Sequence, residues 1–361
     1  MKPRNFYTEW ACSQGIPVLE GYLVEDVYTL QLDPWEQKGG KGALINLLGS
    51  GESNDAYVCE ISPGKSLKPE RHMYEEMIFI LKGRGATTVW VEGSPKQTFE
   101  WQEGSLFAPP LNTWHELHNG QGNQPALFLA VTSAPLVMNL YHNLDFVFNN
   151  PFVFKDRYQP IADYFSAKGK MLSGRIGPIW ESNFVPDVIN FKLLDRKERG
   201  GGGSGVAFEL SENTMAAHTS RFAVGVYKKA HRHGPGAHIL ILEGKGYTLM
   251  WPDGGEKLRF DWKPGSIVVP PEMWWHQHFN AGKVPARYLA LRWGSQKHHY
   301  HMAQNEEMLK DQREGGHQIE YKDEDPQIRR WFEEALAVEG VQSRMSQYFG
   351  ESSTIHTEMA G

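Results

Sequence analysis

The stretch 265-GSIVVPPEMWWHQHFN-280 decides the fold, because it repeats an earlier stretch, 104-GSLFAPPLNTWHELHN-119. Residue 104 corresponds to residue 265, an offset of 161, and both stretches share Gly, Pro-Pro, Trp-His and a final Asn at matching positions. The same offset holds without gaps back to 63-PGKSLKPERHMYEEMIFILKGRG-85, whose histidine and final Gly-x-Gly recur in the second copy. A constant offset over about fifty residues predicts a duplicated domain.

Each copy alternates short apolar runs with turn residues, as in 251-WPDGGEKLRF-260 with its Pro-Asp-Gly-Gly turn. Many short strands joined by glycine and proline turns are typical of a sandwich or a barrel. We therefore predict an all-β fold class with two tandem β-barrels, one for each copy.

The segments outside the two copies have a different character. The segment between them is less regular and ends in 199-RGGGGSG-205, which has the composition of a flexible loop. After Ser295 the pattern favours helices over 302–315 and 325–347, the second with an Asp-Pro start. The predicted domains are an N-terminal barrel at 1–135, an inter-barrel linker at 136–205, a C-terminal barrel at 206–296 and a helical extension at 297–361.

Charge and composition exclude several classes of function. The chain of 361 residues has a formal net charge of -6 and no block of Lys or Arg, which argues against a nucleic acid or membrane partner. The amino terminus has no apolar core of a signal peptide, and no apolar stretch is long enough to span a bilayer. With only Cys12 and Cys59, we expect free thiols and a cytoplasmic location.

Histidines in 230-AHRHGPGAHILILEGKG-246 are spaced as metal ligands are. Alternate residues of an extended chain point to one side, so His231 and His233 can converge on one ion. His238 is either a further ligand or a pocket residue, because its orientation cannot be inferred across the Gly-Pro-Gly sequence. These residues predict half of a metal site.

Both copies resemble the cupin superfamily, whose motifs are G-x5-H-x-H-x3,4-E-x6-G and G-x5-P-x-G-x2-H-x3-N. The second motif is matched by Gly104, Pro110, His115 and Asn119, and again by Gly265, Pro271, His276 and Asn280. In both copies another residue, Asn112 or Met273, replaces the inner glycine of that motif. The resemblance implies a bicupin, with two barrels of jelly-roll type and assembly into a homo-oligomer.

In the second copy the resemblance implies the metal ligands His231, His233 and His276. Ala237 occupies the position of the family's glutamate, and this variant resembles the gentisate-type ring-cleaving dioxygenases. Three-histidine iron sites also occur in cupins that cleave diketones. The resemblance thus implies a site without a carboxylate ligand.

In the first copy the corresponding ligand positions hold Glu70, His72, Glu76 and His115. Two alternatives follow for this set. It is either a second, weaker metal site or a hydrogen-bonded polar cluster left from the duplication.

Three imidazoles suit Fe(II), Mn, Ni, Zn or Cu, and Fe(II) is our expected cofactor. We expect a dioxygenase that uses O₂ to cleave a carbon–carbon bond of a small chelating substrate, such as a hydroxylated aromatic acid. His278 is a candidate acid or base, and Arg287 or Arg292 a candidate clamp for a substrate carboxylate; at most one of the two arginines faces inward. The alternatives are a lyase, isomerase or decarboxylase that uses Mn, Ni or Zn without O₂, and a non-catalytic sensor or storage barrel.

Overall fold

The structure, a computed structural model, describes residues 5–196, 199–234, 236–298 and 306–349. Helix α1 spans Phe6–Ser13. Strands β1 to β11 are Val18–Leu19, Leu23–Val24, Asp33–Trp35, Gly40–Ile45, Asp55–Ile61, Glu76–Lys82, Arg84–Trp90, Gln97–Gln102, Leu106–Phe107, Trp114–Asn119 and Ala126–Thr132. These strands contain the first copy of the duplication.

Two helices and twelve strands follow, and one longer helix comes after them. Helices α2 and α3 are Ala134–Tyr141 and Leu144–Asn149. Strands β12 to β23 are Lys170–Gly174, Gly177–Ser182, Phe184–Val185, Leu194–Asp195, Ser204–Leu210, Met215–Phe222, His238–Glu243, Gly246–Trp251, Leu258–Trp262, Ile267–Val268, Trp275–Asn280 and Ala286–Trp293. Helix α4 is Pro326–Glu339.

Each barrel combines a large sheet with a small one. In the first barrel the large sheet has the order β1-β4-β5-β11-β6-β9-β14, with β3 beside β4, and the small sheet has the order β10-β7-β8. In the second barrel the orders are β12-β13-β16-β17-β23-β18-β21-β2, with β15 beside β16, and β20-β19-β22. The predicted all-β fold with two jelly-roll barrels is confirmed.

The large sheets pack against each other and form a core between the barrels. Every residue of β23 is buried, because one face of this strand lines the second barrel and the other contacts the first. The core includes Phe79 and Leu129 from the first barrel and Leu240, Leu289 and Leu291 from the second. The two barrels are therefore joined by an apolar interface.

The barrels also exchange a short strand. Strand β2, in the first half of the chain, pairs with β21 of the second barrel, and β14 pairs with β9 of the first barrel. Leu23 and Phe184, which begin β2 and β14, are related by the offset of 161. The repeat thus extends beyond the motifs, and the segment predicted as a linker, 136–205, supplies strands to both barrels.

Two glycines let the backbones of the two halves approach closely. A Cβ atom on Gly236 would lie 2.0 Å from the carbonyl oxygen of Gly49, and one on Gly49 would lie 2.0 Å from that of Val269. Asn54 Nδ2 donates a hydrogen bond of 3.1 Å to Gly236 O at the same place. A side chain at either glycine would push the barrels apart.

Glu75 links the barrels through a buried carboxylate. Its Oε1 and Oε2 accept hydrogen bonds from the backbone N–H groups of Thr214 and Met215, at 2.9 and 2.8 Å, where β17 of the second barrel begins. Arg157 Nη1 lies 2.9 Å from Oε1. The carboxylate therefore satisfies two backbone donors of the opposite barrel.

We expect Glu75→Ala to lower the free energy of unfolding by about 3 kcal/mol, because each buried N–H donor left without a hydrogen-bond partner costs about 1–3 kcal/mol. Urea unfolding followed by tryptophan fluorescence measures the change. The matched control is Glu100→Ala, at an exposed position of β8. Equal unfolding midpoints for the two variants would show that Glu75 adds nothing to the interface.

The C-terminal region packs on the second barrel through α4. Asp325 caps this helix by accepting a hydrogen bond of 2.9 Å from Gln327 N, and Ile328, Phe332 and Leu336 are buried on one face. The helix ends at Glu339 because Gly340 adopts a left-handed conformation. The prediction of a helix over 302–315 was wrong for the described residues 306–315, which form only short 3₁₀ turns before Gly315. Residues 302–305 of that predicted helix lie outside the described residues, and so do residues 350–361 of the predicted extension.

Cys12 and Cys59 are both free thiols, as predicted. Among the described residues, no helix has both the length and the apolar character needed to cross a membrane.

Candidate metal centres

Three histidines converge inside the second barrel. His231 precedes β18 and pairs through its backbone with His276 of β22, with N–H···O distances of 3.1 and 2.8 Å in the two directions. His233 lies on the same extended segment as His231, and one nitrogen of each of the three rings lies within 4.8 Å of the others. The structure therefore brings together all three ligands predicted for this copy.

Hydrogen bonds orient two of these rings for metal binding. Nδ1 of His233 lies 3.1 Å from Gly234 O, and Nδ1 of His276 lies 3.1 Å from Trp274 O. A carbonyl only accepts, so each Nδ1 carries the proton and each Nε2 keeps a free lone pair. Nδ1 of His231 has no hydrogen-bond partner among the described residues.

Burial keeps these imidazoles neutral. Desolvation lowers the pKa of His276 to about 3, and it also lowers the pKa values of His231 and His233 well below the usual range. Neutral imidazole is the form that binds a metal ion. Donor type, orientation and protonation state all fit a divalent transition metal at this place.

A small buried cavity of about 30 Å³ adjoins the three histidines. Its wall consists of Arg196, Arg199, Gly203, His218, Ser220, Lys228, His231, His233, Ala237, Ile239, His276, His278, Tyr288, Ala290 and Met308. None of these lining residues is an Asp or Glu, although three are Arg or Lys. The cavity is therefore basic as well as rich in imidazole.

Arg199 and Lys228, two cations of this wall, form hydrogen bonds but no ion pair among the described residues. Nη1 of Arg199 lies 3.4 Å from Met308 O and 3.2 Å from Gln318 Oε1, and burial lowers the pKa of Arg199 to about 10. The ammonium of Lys228 donates hydrogen bonds to the hydroxyl groups of Ser220 and Tyr288. Among the described residues, no carboxylate forms an ion pair with Arg199 or Lys228, so an anion would complete this site.

His278 lies beside the ligands and also faces the cavity. Its ring centre is 5.8 Å from that of His276, and its Nδ1 is 2.8 Å from Thr248 Oγ1. Trp262 Nε1 donates to the same hydroxyl oxygen at 3.1 Å, so the Thr248 proton is free to point toward His278. The predicted acid–base residue is thus held at the cavity by Thr248.

The two candidate arginines lie on opposite faces of β23. Arg287 points away from the histidines, and its Nη2 donates to Val188 O and Phe191 O at 2.7 and 2.8 Å. The structure removes Arg287 from the candidate catalytic residues, because its guanidinium is bound to the inter-barrel segment. Arg292 faces inward but contacts Nδ1 of His218 at 3.0 Å, so it lies behind the cavity wall.

His238 does not join the ligand cluster. It is fully buried on β18, and Leu240, two residues further on the same face, belongs to the core between the barrels. Neither ring nitrogen has a hydrogen-bond partner among the described residues, and desolvation lowers its pKa to about 3.

The first barrel holds the corresponding cluster of His72, Glu76 and His115. Nε2 of each histidine lies 3.4 Å from Glu76 Oε2, and none of these three atoms has a hydrogen-bond partner among the described residues. The Nδ1 atoms of His72 and His115 lie 2.8 and 3.2 Å from backbone carbonyls. This donor set also fits a divalent metal.

Glu70, the fourth position of this cluster, is engaged differently. Its Oε1 lies 2.5 Å from Nζ of Lys38 and 3.5 Å from Nε2 of His115. Burial lowers the pKa of His115, but Glu70 and Glu76 outweigh this effect and raise it to about 9. A proton on His115 can therefore replace a metal ion here, and both alternatives for the first barrel remain predictions.

The sequence reasoning missed the basic and hydroxyl residues of the second cavity. These residues lie outside the two motifs, and only the fold determines that their side chains face the cavity. They are Arg196, Arg199, Ser220, Lys228 and Tyr288. One signal was available, because Arg199 and Lys38 are related by the offset of 161 and Lys38 is also buried in its barrel.

Comparison with known proteins supports the fold. Residues 57–132 match the family described as Cupin domain. No curated protein matches the chain in sequence.

Solved structures of oxalate decarboxylases are similar in fold. One, studied for a switch in reaction specificity, has a TM-score of 0.52 and 16% identity, and the alignment covers 78% of this chain and 79% of that one. The Bacillus subtilis enzyme at pH 4.6 gives 0.50 and 16%, with 76% of each chain covered. The Lactobacillus farciminis formate complex gives 0.50 and 13%, with 75% and 86% covered. Residues 57–132 thus form a cupin domain, and the second half of the chain repeats the same architecture, so the chain has a bicupin fold.

Proposed function

We propose that the protein is a metal-dependent lyase that decarboxylates a small carboxylic acid in the second barrel. The observation that carries this proposal is the cavity beside the three histidines, whose wall contains Arg196, Arg199 and Lys228 and, within the part of the chain that the structure describes, no acidic residue. A substrate carboxylate would supply the missing negative charge. The size of the cavity favours a substrate of only a few heavy atoms.

Two buried cations of the cavity wall have no carboxylate partner among the described residues. Arg199 is 6% exposed and Lys228 is 3% exposed. Burying an ion without a counter-ion costs several kcal/mol, even after the protein relaxes. A bound carboxylate offsets that cost by forming charge-assisted hydrogen bonds with the two cations. The desolvation cost already present in the folded protein therefore favours the binding of an anion.

In this proposal His231, His233 and His276 hold the metal, which supplies a Lewis acid that polarises a substrate oxygen. Arg199 and Lys228 orient the carboxylate that leaves as CO₂. The site is buried, so water is largely excluded and the electrostatic interactions within it are strengthened.

The comparisons add support for this reaction class. The similar solved structures are named oxalate decarboxylases, and one of them is a complex with formate. The bicupin architecture therefore hosts decarboxylation in those proteins. Their identity to this chain is 16% or less, so the substrate of this chain is argued from its own cavity.

A second candidate is the Fe(II) dioxygenase expected from the sequence. One observation favours it: Ala237 replaces the family's glutamate and leaves three neutral ligands, while His278 faces the cavity. Three protein ligands leave positions for a chelating substrate and O₂. The two candidates differ in whether turnover consumes O₂.

The test combines metal analysis with two gas measurements. Protein purified without oxygen is analysed by plasma mass spectrometry, reloaded with Mn, Fe(II), Ni or Zn, and supplied with oxalate and small 2-oxo and 3-oxo acids. We expect CO₂ release without O₂ uptake. Stoichiometric O₂ uptake with catechols or gentisate-like acids would establish the dioxygenase instead, and failure to bind any metal would exclude both.

We also propose that the protein is cytoplasmic and forms a homo-oligomer.

A further inference from the structure

We infer that Tyr288, held by Lys228 and Ser220 in the second barrel, is the acid that delivers the proton replacing the lost CO₂. The inference rests on the proposed function and names the residue that completes its reaction.

Tyr288 stands in the cavity wall with a fixed hydroxyl group. It lies on the inward face of β23, is 7% exposed, and its hydroxyl is 3.1 Å from Lys228 Nζ. Lys228 also donates to Ser220 Oγ, so its ammonium is held between two hydroxyl groups. The Tyr288 ring centre lies 5.4 Å from that of His278, which is itself beside the ligand His276. The hydroxyl is thus part of the wall that a bound substrate would contact.

The charges around Tyr288 favour loss of its proton during a reaction. The groups facing it are Lys228, Arg199, Arg196, His218, His278 and Arg292. Burial raises the pKa of Tyr288. The positive charges of Lys228 and Arg199, together with the hydrogen bond from Lys228, outweigh burial, so the pKa of Tyr288 lies below its ordinary value. A phenol with a lowered pKa transfers its proton more readily, and the phenolate that remains is stabilised by the nearby cations.

The first barrel lacks this arrangement, although its ligand scaffold is retained. Strand pairing places Phe128 opposite Cys59, as it places Tyr288 opposite Ser220. The position equivalent to Lys228 by the offset of 161 is Leu67. The first barrel thus has Phe128, Cys59 and Leu67 where the second has Tyr288, Ser220 and Lys228, so it lacks the three groups that form the proposed proton donor.

The bond between the substrate carbon and its carboxylate breaks, CO₂ leaves, and the electron pair remains on the rest of the substrate. The Tyr288 O–H bond then breaks, and its proton forms a new C–H bond with that electron pair. The phenolate is reprotonated by water when the product leaves, so one proton is consumed for each CO₂ released.

The test uses Tyr288→Phe and Lys228→Met, with Tyr247→Phe as the matched control. Tyr247 is buried in the same barrel, its hydroxyl has no partner among the described residues, and it is not in the cavity wall. We expect Tyr288→Phe to reduce kcat about 100-fold or more, with metal content and KM nearly unchanged. Tyr247→Phe should alter none of these values.

A second readout does not depend on turnover. Ultraviolet titration of tyrosinate in the metal-free protein should show one tyrosine that ionises before the others. This early ionisation should be absent in Tyr288→Phe, and in Lys228→Met it should move to higher pH. Its persistence in Tyr288→Phe would overturn the inference.

The outcomes separate this inference from the proposed function. Wild-type CO₂ release that survives Tyr288→Phe within about threefold overturns the role of Tyr288 and leaves the lyase proposal intact. Absence of CO₂ release from the wild-type protein with every acid and metal overturns both.

Discussion

We expect the His276→Ala variant to lose the metal of the second barrel and, with it, all turnover. His276 is one of the three ligands that we propose for this site, and its ring is fixed by the hydrogen bond from Nδ1 to Trp274 O. Loss of even an outer partner of a metal ligand costs 10- to 100-fold in affinity as a general rule, so we expect loss of a ligand to cost about 100-fold or more. Plasma mass spectrometry and CO₂ release measure the two effects.

The duplication offers a matched control in His115→Ala, which removes the corresponding histidine of the first barrel. We expect this variant to retain the metal of the second barrel and most of the turnover. A fall in metal content would identify the first-barrel cluster as a second site. If His115→Ala abolishes turnover and His276→Ala does not, the reaction belongs to the first barrel and our assignment is wrong.

The fold could be predicted because its information is local and repeated. The shared motifs and the constant offset identify two copies, and short apolar runs between turns identify each copy as β-structure. The exchange of β2 and β14 could not be predicted. Each of these strands has two residues, and the partner of β2 lies over 240 residues away in the chain, at Ile267–Val268.

The sequence predicted the histidines of the site but not its basic residues, because only the histidines belong to a local motif. The motifs contain His231, His233 and His276, and the spacing of these histidines is typical of metal ligands. Lys228 and Arg199 are basic residues in loops, where nothing in the neighbouring sequence shows that they are buried. The choice between Arg287 and Arg292 needed the register of β23, because alternate residues of that strand face different cores.

The junction between the barrels is tightly packed around Gly49. Gly49→Ala should destabilise the whole chain, because a Cβ atom there would lie 2.0 Å from Val269 O and 2.9 Å from Val269 Cγ1. Gly49 has an ordinary negative φ, so the expected effect is steric rather than conformational. Overpacking of this kind costs about 1–3 kcal/mol, and the rigid backbone on both sides places Gly49→Ala at the upper end of that range. Calorimetry or urea unfolding measures the loss.

Gly122→Ala is the matched control, because no atom lies within 4 Å of the added Cβ and its φ is also unexceptional. Relief of backbone entropy in the unfolded chain should make this control neutral or slightly stabilising. If the interface acts as one cooperative unit, Gly49→Ala will lower the unfolding midpoint of both barrels together, since the core between them contains residues of both. Two separated transitions would show instead that the barrels fold independently, and an unchanged midpoint would show that the contact at Gly49 and Val269 can open without cost.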